Sequence, residues 1–304
     1  MKISEGLWYG VKRLAIPAFV LGATVFLLLI IHRKVYAHYA IEPQYQINLA
    51  PLEVLAAPDW CNDPSFEDAI RNSMKLEGQI SIFDKDLIPR LLAKYENNPW
   101  VARVDSIEKQ FPNKLNVKLE LRRPVVVVEL KKWNNRSFYY LVDKDSVRIP
   151  GEYYTVPNLP ITLPIVVGVR NSPPMPGQRW QDQGLTDAID VAGAFKQYDV
   201  YQKLDIAAID ITNSGGRRNK QSSEIVILTG NHTQIEWGRP VNTDKPFELS
   251  AAEKIKNLCR VLEVSPQLQG IKVVKVQFDQ PYIVLQEPVL KKTNSAGASP
   301  KRTR

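Results

Sequence analysis

A chain of 304 residues, 44% hydrophobic and 24% charged, has room for a membrane segment and about two domains of roughly 100 residues each. Its only two cysteines, Cys61 and Cys259, lie far apart, which excludes a disulfide framework or a cysteine-rich metal site and reads as two free thiols. The formal charge is +8, but Lys291, Lys292, Lys301, Arg302 and Arg304 supply five of it from a last segment without an acidic residue; the remaining +3 gives no basic stripe for nucleic acid.

Residues 1–13 form a short arm carrying Lys2, Lys12 and Arg13 against Glu5. From Leu14 to Ile31, residues 14–31, no charge occurs, and 18 helical residues span about 27 Å, close to the hydrocarbon thickness of a bilayer. This predicts a transmembrane helix with Pro17 in its first turn. The competing reading is a signal peptide cleaved after Val35-Tyr36-Ala37; the charges of His32-Arg33-Lys34 and the length of the apolar run favour the uncleaved anchor. The flanking charges nearly balance, and long domains translocate regardless of charge, so the amino end is expected inside and the rest of the chain outside.

A connector is expected over residues 32–45, followed by a strand over residues 47–55 that Pro51 interrupts. Asp63-Pro64 is a helix-start signal, with Phe66, Ala69 and Ile70 as a short apolar face. A second helix over residues 86–96 has Leu87, Ile88, Leu91, Leu92 and Tyr95 at helical spacing, with Pro89 in the opening turn. Asn98-Pro99 ends it, because a residue before proline is pushed out of the α region. Trp100-Val101 starts a strand that turns at Phe111-Pro112-Asn113. Leu115, Val117, Leu119 and Leu121 then alternate with Asn116, Lys118, Glu120 and Arg122, the period of a half-buried strand.

In the second half, residues 138–142 and 164–169 are apolar runs of strand type. Gly184 precedes a helix with Leu185, Ala188, Ile189, Ala192 and Phe195 on one face. Strands over residues 224–229 and 233–237 flank Gly230-Asn231, read as a two-residue hairpin turn because both tolerate positive φ. A last helix buries Leu249, Ala252, Ile255, Leu258 and Leu262, with Ser250 and Glu253 spaced as a capping box. Strands over residues 272–278 and 282–286 finish the fold, and the tail from Pro288 to Arg304 has the composition of a disordered basic segment.

The search for chemistry is mostly negative. His32 and His38 flank the apolar run and His232 sits by a turn, so no histidine pair has metal-ligand spacing, and hydrolase, P-loop and dinucleotide signatures are absent. Asp143 and Asp145 read as solvated turn carboxylates. Arg217, Arg218 and Lys220, in a loop opened by Gly215-Gly216, read as a solvated hairpin tip, with lipid headgroups or anionic wall polymers as the alternative.

Strand, helix, helix, strand, strand over residues 46–124 resembles the polypeptide-transport-associated (POTRA) domain. Behind one membrane segment and ahead of a β-rich domain, the chain looks like the FtsQ/DivIB family of bacterial cell-division proteins. The residues that carry the resemblance are Pro99-Trp100-Val101, Phe111-Pro112 followed by Leu115 and Val117, Arg122-Arg123-Pro124 leading into Val125, Leu141-Val142-Asp143, Ile235-Glu236-Trp237-Gly238-Arg239, and Val273-Val274-Lys275-Val276. The chain departs from the pattern at Gly78, which comes late, at Lys144-Asp145-Ser146, and at Asp279-Gln280-Pro281, where the family favours glycine-containing turns.

The resemblance implies an α+β protein: cytoplasmic arm 1–13, transmembrane helix 14–31, connector 32–45, POTRA-type β-α-α-β-β domain 46–124, β-rich domain with two helices 125–287, and tail 288–304. It implies a non-catalytic scaffold at the division septum, without metal, cofactor, nucleic acid or small-molecule substrate. FtsB-like and FtsL-like bitopic partners would be received by strand addition at the last sheet edge, which carries over to Phe278, Asp279, Gln280, Tyr282, Ile283, Val284 and Leu285. A POTRA-bearing envelope-assembly or secretion adaptor, and an envelope enzyme using acidic residues, are the other readings.

Overall fold

The computed structural model describes residues 5–49, 60, 64–74, 76, 78–131, 136–242 and 248–286. The chain divides into two compact units between Arg122 and Arg123. It is an α+β protein with an apolar N-terminal helix and one large mixed sheet.

The first unit begins with α1, Glu5–Ile41, a single helix of 37 residues. Its segment Pro17–Ile41 is long and apolar enough to cross a membrane, and none of that stretch is buried. Pro17 therefore lies well inside the helix rather than in its first turn, and the expected connector over 32–45 is mostly helix. Nothing between Val35 and Ile41 breaks a helix; Glu42, before Pro43, is the first residue forced into extended backbone, at φ −68° and ψ 136°. One 3-10 turn, Pro43–Tyr45, leads directly into β1, Gln46–Asn48.

β1 is shorter than the strand expected over 47–55, most of which lies outside the described residues. Helix α2, Pro64–Met74, follows as expected, although Asp63 is not among the described residues. Between the helices the sequence reading missed β2, Gln79–Ser81, which pairs antiparallel with β1. Three residues are too few for a periodic signal. Helix α3, Leu87–Glu96, leads to the hairpin of β3, Val101–Gln110, and β4, Lys114–Leu121, which pair with each other as a separate two-stranded sheet.

Asn98 explains the helix exit: its carboxamide donates to Ser73 O at 3.0 Å and accepts the Trp100 N–H at 3.0 Å, tying α2 to the start of the hairpin. Phe66, Ile70, Leu87, Leu91, Tyr95, Trp100 and Val101 are buried, whereas Leu115, Val117, Leu119 and Leu121 are only half-buried, so β4 borders the core rather than building it.

The second unit holds β5 (Pro124–Lys131), β6 (Ser137–Asp143), β7 (Ile165–Val167), α4 (Gln183–Gln197), a short α5 (Val200–Lys203), β8 (Ile206–Asp210), β9 (Ile225–Thr229), β10 (Gln234–Gly238), α6 (Ala251–Val264), β11 (Ile271–Lys275) and β12 (Tyr282–Leu285). These strands form one eight-stranded sheet in the order β12-β11-β10-β9-β8-β7-β5-β6. The pairs β5/β7, β7/β8 and β10/β11 are parallel and the others antiparallel. Helices α4 and α6 share one core with the sheet, where Phe195 meets Trp237 edge to face at 5.5 Å. Strand β8 and helix α5 were not foreseen; Ile-Ala-Ala-Ile-Asp lacks the alternation that marks a strand.

Three local readings change. The β9/β10 turn has four residues, and the left-handed one is His232 at φ 67°, not Gly230 or Asn231. Gly230 leaves room for the exposed Asp205 side chain instead, whose carboxylate would have to swing aside for a Cβ there. Asp143 is buried, not solvated: its carboxylate accepts the N–H groups of Asp145 (2.9 Å) and Val147 (2.8 Å) and folds the turn after β6. Arg217 is not a free tip cation, because its guanidinium donates to Thr212 O (2.7 Å), Ile211 O (2.6 Å) and Gly168 O (2.8 Å).

Cys259 is a half-buried free thiol. Cys61 and the tail from residue 287 lie outside the described residues.

Candidate partner-binding edge

The last edge of the sheet is built on α6. Ser250 caps this helix with a full capping box: its hydroxyl accepts the Glu253 N–H at 3.3 Å, and the Glu253 carboxylate accepts the Ser250 N–H at 2.8 Å. Ile255, Leu258, Val261 and Leu262 then face the core.

Two polar residues on α6 do the positioning. Asn257, buried, donates to Val276 O at 3.2 Å and to Phe278 O at 2.7 Å, so a helix side chain holds the backbone leading into the β11/β12 turn. Arg260 in turn donates to Asn257 Oδ1 at 3.2 Å. Lys254 is 1% exposed; it pairs with the Glu248 carboxylate, donates to Arg239 O at 3.2 Å and lies 5.1 Å from the centre of the Trp237 ring. Burial holds its ammonium below the usual lysine range, against the opposing pull of Glu248.

Sequence reasoning missed both residues. The signal was available for Lys254, which falls at helical spacing with Leu258 and Val261. Gly238, at φ +95°, completes the support: a Cβ there would meet Gln277 Cβ at 2.9 Å, so glycine lets β10 approach the chain that runs on from β11.

Strand β12 pairs antiparallel with β11, with Tyr282 opposite Lys275, Ile283 opposite Val274 and Val284 opposite Val273. The Gln286 N–H donates to Gly270 O at 2.9 Å, and on the other side of β11 the Val276 N–H donates to Glu236 O at 3.2 Å. Strand alternation then turns the N–H and C=O of Tyr282 and Val284 towards β11 and those of Ile283 and Leu285 outwards. Among the described residues nothing pairs with that outer side, since β12 ends the sheet.

The sequence-derived site residues come together here. Phe278 (51% exposed), Asp279 and Gln280 form the turn, and Tyr282 (59%), Ile283 (38%) and Leu285 (69%) line the strand, with Val284 half-buried between them. Val276 is core. Ile283 and Leu285 stand opposite the buried Val274 and Ile271, on the face that α6 covers, so this apolar row extends the core outwards past the last strand. The strand is short, at four residues, and its pairing is bulged near Ile271, but Tyr-Ile-Val-Leu contains no charge and no proline to blunt the edge.

A cleft of about 680 Å³ at the start of α4 is the other concavity of note. Its polar groups are committed to one another. Asp182 accepts the Leu185 and Arg170 N–H groups at 3.1 and 3.0 Å, Gln183 donates to Asp187 at 2.9 Å, and Glu224 accepts the Gly215 N–H at 2.8 Å. Burial raises the Asp187 carboxyl above the usual range. Among the described residues no cluster of His, Cys, Asp and Glu has the geometry to hold a metal ion.

No family model matches the chain, and no curated protein matches it.

Proposed function

We propose that this protein is a non-catalytic scaffold of the bacterial cell-division machinery, anchored by α1 in the cytoplasmic membrane with the chain that follows α1 on the outer side. It takes up a strand from an FtsB-like bitopic protein, itself paired with an FtsL-like one, along β12. The observation that carries the binding part is the bare edge, where the outward N–H groups of Ile283 and Leu285 lie within an exposed apolar row. The ordered resemblance to the FtsQ/DivIB family supports the division role. The order α2, α3, β3, β4 supports a POTRA reading of the first unit, with β2 as an addition.

The test is depletion combined with localisation of a tagged copy. Filamentous cells and a septal band are expected; a dispensable, evenly distributed protein would contradict the division role. Strand uptake with no division phenotype would point instead to an envelope-assembly or secretion adaptor.

A further inference from the structure

We propose a second membrane contact: the tip of the β3/β4 hairpin, led by Phe111, together with the end of α1, forms an aromatic seat that holds the first unit against the headgroup layer of the bilayer that α1 crosses. This rests on the reading of α1 as a membrane-spanning helix.

Five rings form a continuous cluster within the first unit. Tyr36 and Tyr39 stand on α1, Tyr45 in the turn that follows, Phe83 after β2 and Phe111 at the hairpin tip. Ring centres are 5.5 Å apart for Tyr36 and Phe83, 5.1 Å for Tyr45 and Phe83, 5.5 Å for Phe83 and Phe111, and 5.8 Å for Tyr39 and Tyr45. All four pairs are edge-on. The Tyr36 hydroxyl also donates to Phe83 O, and Lys109 on β3 donates to Asp84 O at 2.6 Å. The helix end and the hairpin tip are therefore joined without a flexible linker.

The height of this cluster follows from helix geometry. The uncharged run ends at Ile31, and Tyr36 is five residues further on, about 7.5 Å along the axis. The polar layer on each side of a bilayer is about 5 to 7 Å thick. At about 7.5 Å Tyr36 thus stands at the outer boundary of the headgroup layer, with the Phe83 ring centre 5.5 Å from it and that of Phe111 5.5 Å from Phe83. This is the depth at which tyrosine and other amphipathic groups collect on spanning proteins.

Phe111 is 67% exposed at a hairpin tip, where polar turn formers are the rule. In sequence, Lys109 and Lys114 flank it and Arg33 and Lys34 precede Tyr36, four basic residues against Asp84 and Glu42 beside the same ring-bearing segments, a balance that favours an anionic lipid surface. Tyr36 and Tyr39 stand on the helix whose Pro17–Ile41 segment is long and apolar enough to cross a membrane, so lipid is the occupant that this seat would meet.

The experiment uses the full chain with Cys61→Ser and Cys259→Ser, reconstituted into vesicles of phosphatidylethanolamine and phosphatidylglycerol. A small fluorophore is placed on Asn113→Cys or, separately, on Leu28→Cys. The label at position 28 should be quenched by acyl-chain nitroxide lipid. The label at 113 should be quenched by headgroup nitroxide lipid, be shielded from an aqueous nitroxide, and lose that shielding when Phe111→Asp is added. A lipid-quenched label at 28 with an aqueous-accessible label at 113 overturns the seat and leaves the anchor standing. A label at 113 shielded from both quenchers means that protein covers the rings, and overturns the seat as well. A label at 28 that acyl-chain nitroxide does not quench overturns the anchor and the seat together.

Discussion

At one end of the eight-stranded sheet, β6 is closed by the chain that follows it. Tyr139 exchanges both backbone bonds with Tyr153 (2.8 and 3.0 Å), Leu141 O accepts the Ile149 N–H (2.9 Å), and the Asp143 N–H donates to Val147 O (3.1 Å). Tyr140 donates to Glu152 at 2.9 Å, with the Arg148 guanidinium 4.7 Å over its ring. At the other end, β12 has the same kind of outward groups, at Ile283 and Leu285, and no covering segment among the described residues. One sheet thus contains both a sealed and an open edge, and only the open one has apolar side chains left exposed in a row. Backbone groups of a solvated edge cost little, but an uncharged, apolar edge invites a further strand, so it is where a partner fits.

The contrast can be broken from either side. Val284→Pro removes a donor that faces β11 and should destabilise the second unit by about 3 kcal/mol, read by thermal unfolding of the full chain in detergent. Asp143→Ala removes the buried carboxylate that holds Val147 and Asp145; a loss of about 2 kcal/mol is expected in the same assay.

Asn257→Ala frees the carbonyls of Val276 and Phe278, and should cost about 1 to 2 kcal/mol and loosen the edge, weakening partner capture in a pull-down. Ile283→Pro removes an outward donor and the part of the side chain that packs beside Val274, so stability should fall by about 1 kcal/mol while capture is lost; unchanged capture would show that β12 is not the receiving strand.

The smallest effect concerns the sealed edge. Burial, together with the bond to Glu152, pushes the Tyr140 hydroxyl up to about 12. A folded-state value above the unfolded one of about 10 means stability that is whole below pH 10 and lost as pH rises towards 12. Tyr140→Phe should flatten the fall in melting temperature over that window.

Long periodic elements were legible. α3, α4, α6 and the β3/β4 hairpin follow from apolar spacing, and the Ser250 capping box from two residues. Short elements were legible only where an apolar run marked them, as at β7, β9, β10 and β12; β2, β8 and α5, of three, five and four residues, lack such a run and owe their form to neighbours distant in sequence. The end of α1 was misjudged because polar and aromatic residues such as His38 and Tyr39 read as connector, although nothing before Pro43 breaks the helix. At the candidate edge, the residues were named from sequence, but their exposure could not be. An alternating strand looks the same whether one more strand covers it or not, and the support Asn257 looks like an ordinary solvated helix residue.

Residue-resolved amide hydrogen exchange on the full chain, alone and after capture of an FtsB-like partner, tests the open edge most directly. The amides of Ile283 and Leu285 should exchange fast in the free protein and slow down sharply with the partner bound, while that of Tyr139 is slow in both states. A captured partner that leaves Ile283 and Leu285 exchanging as fast as before would contradict strand addition at β12.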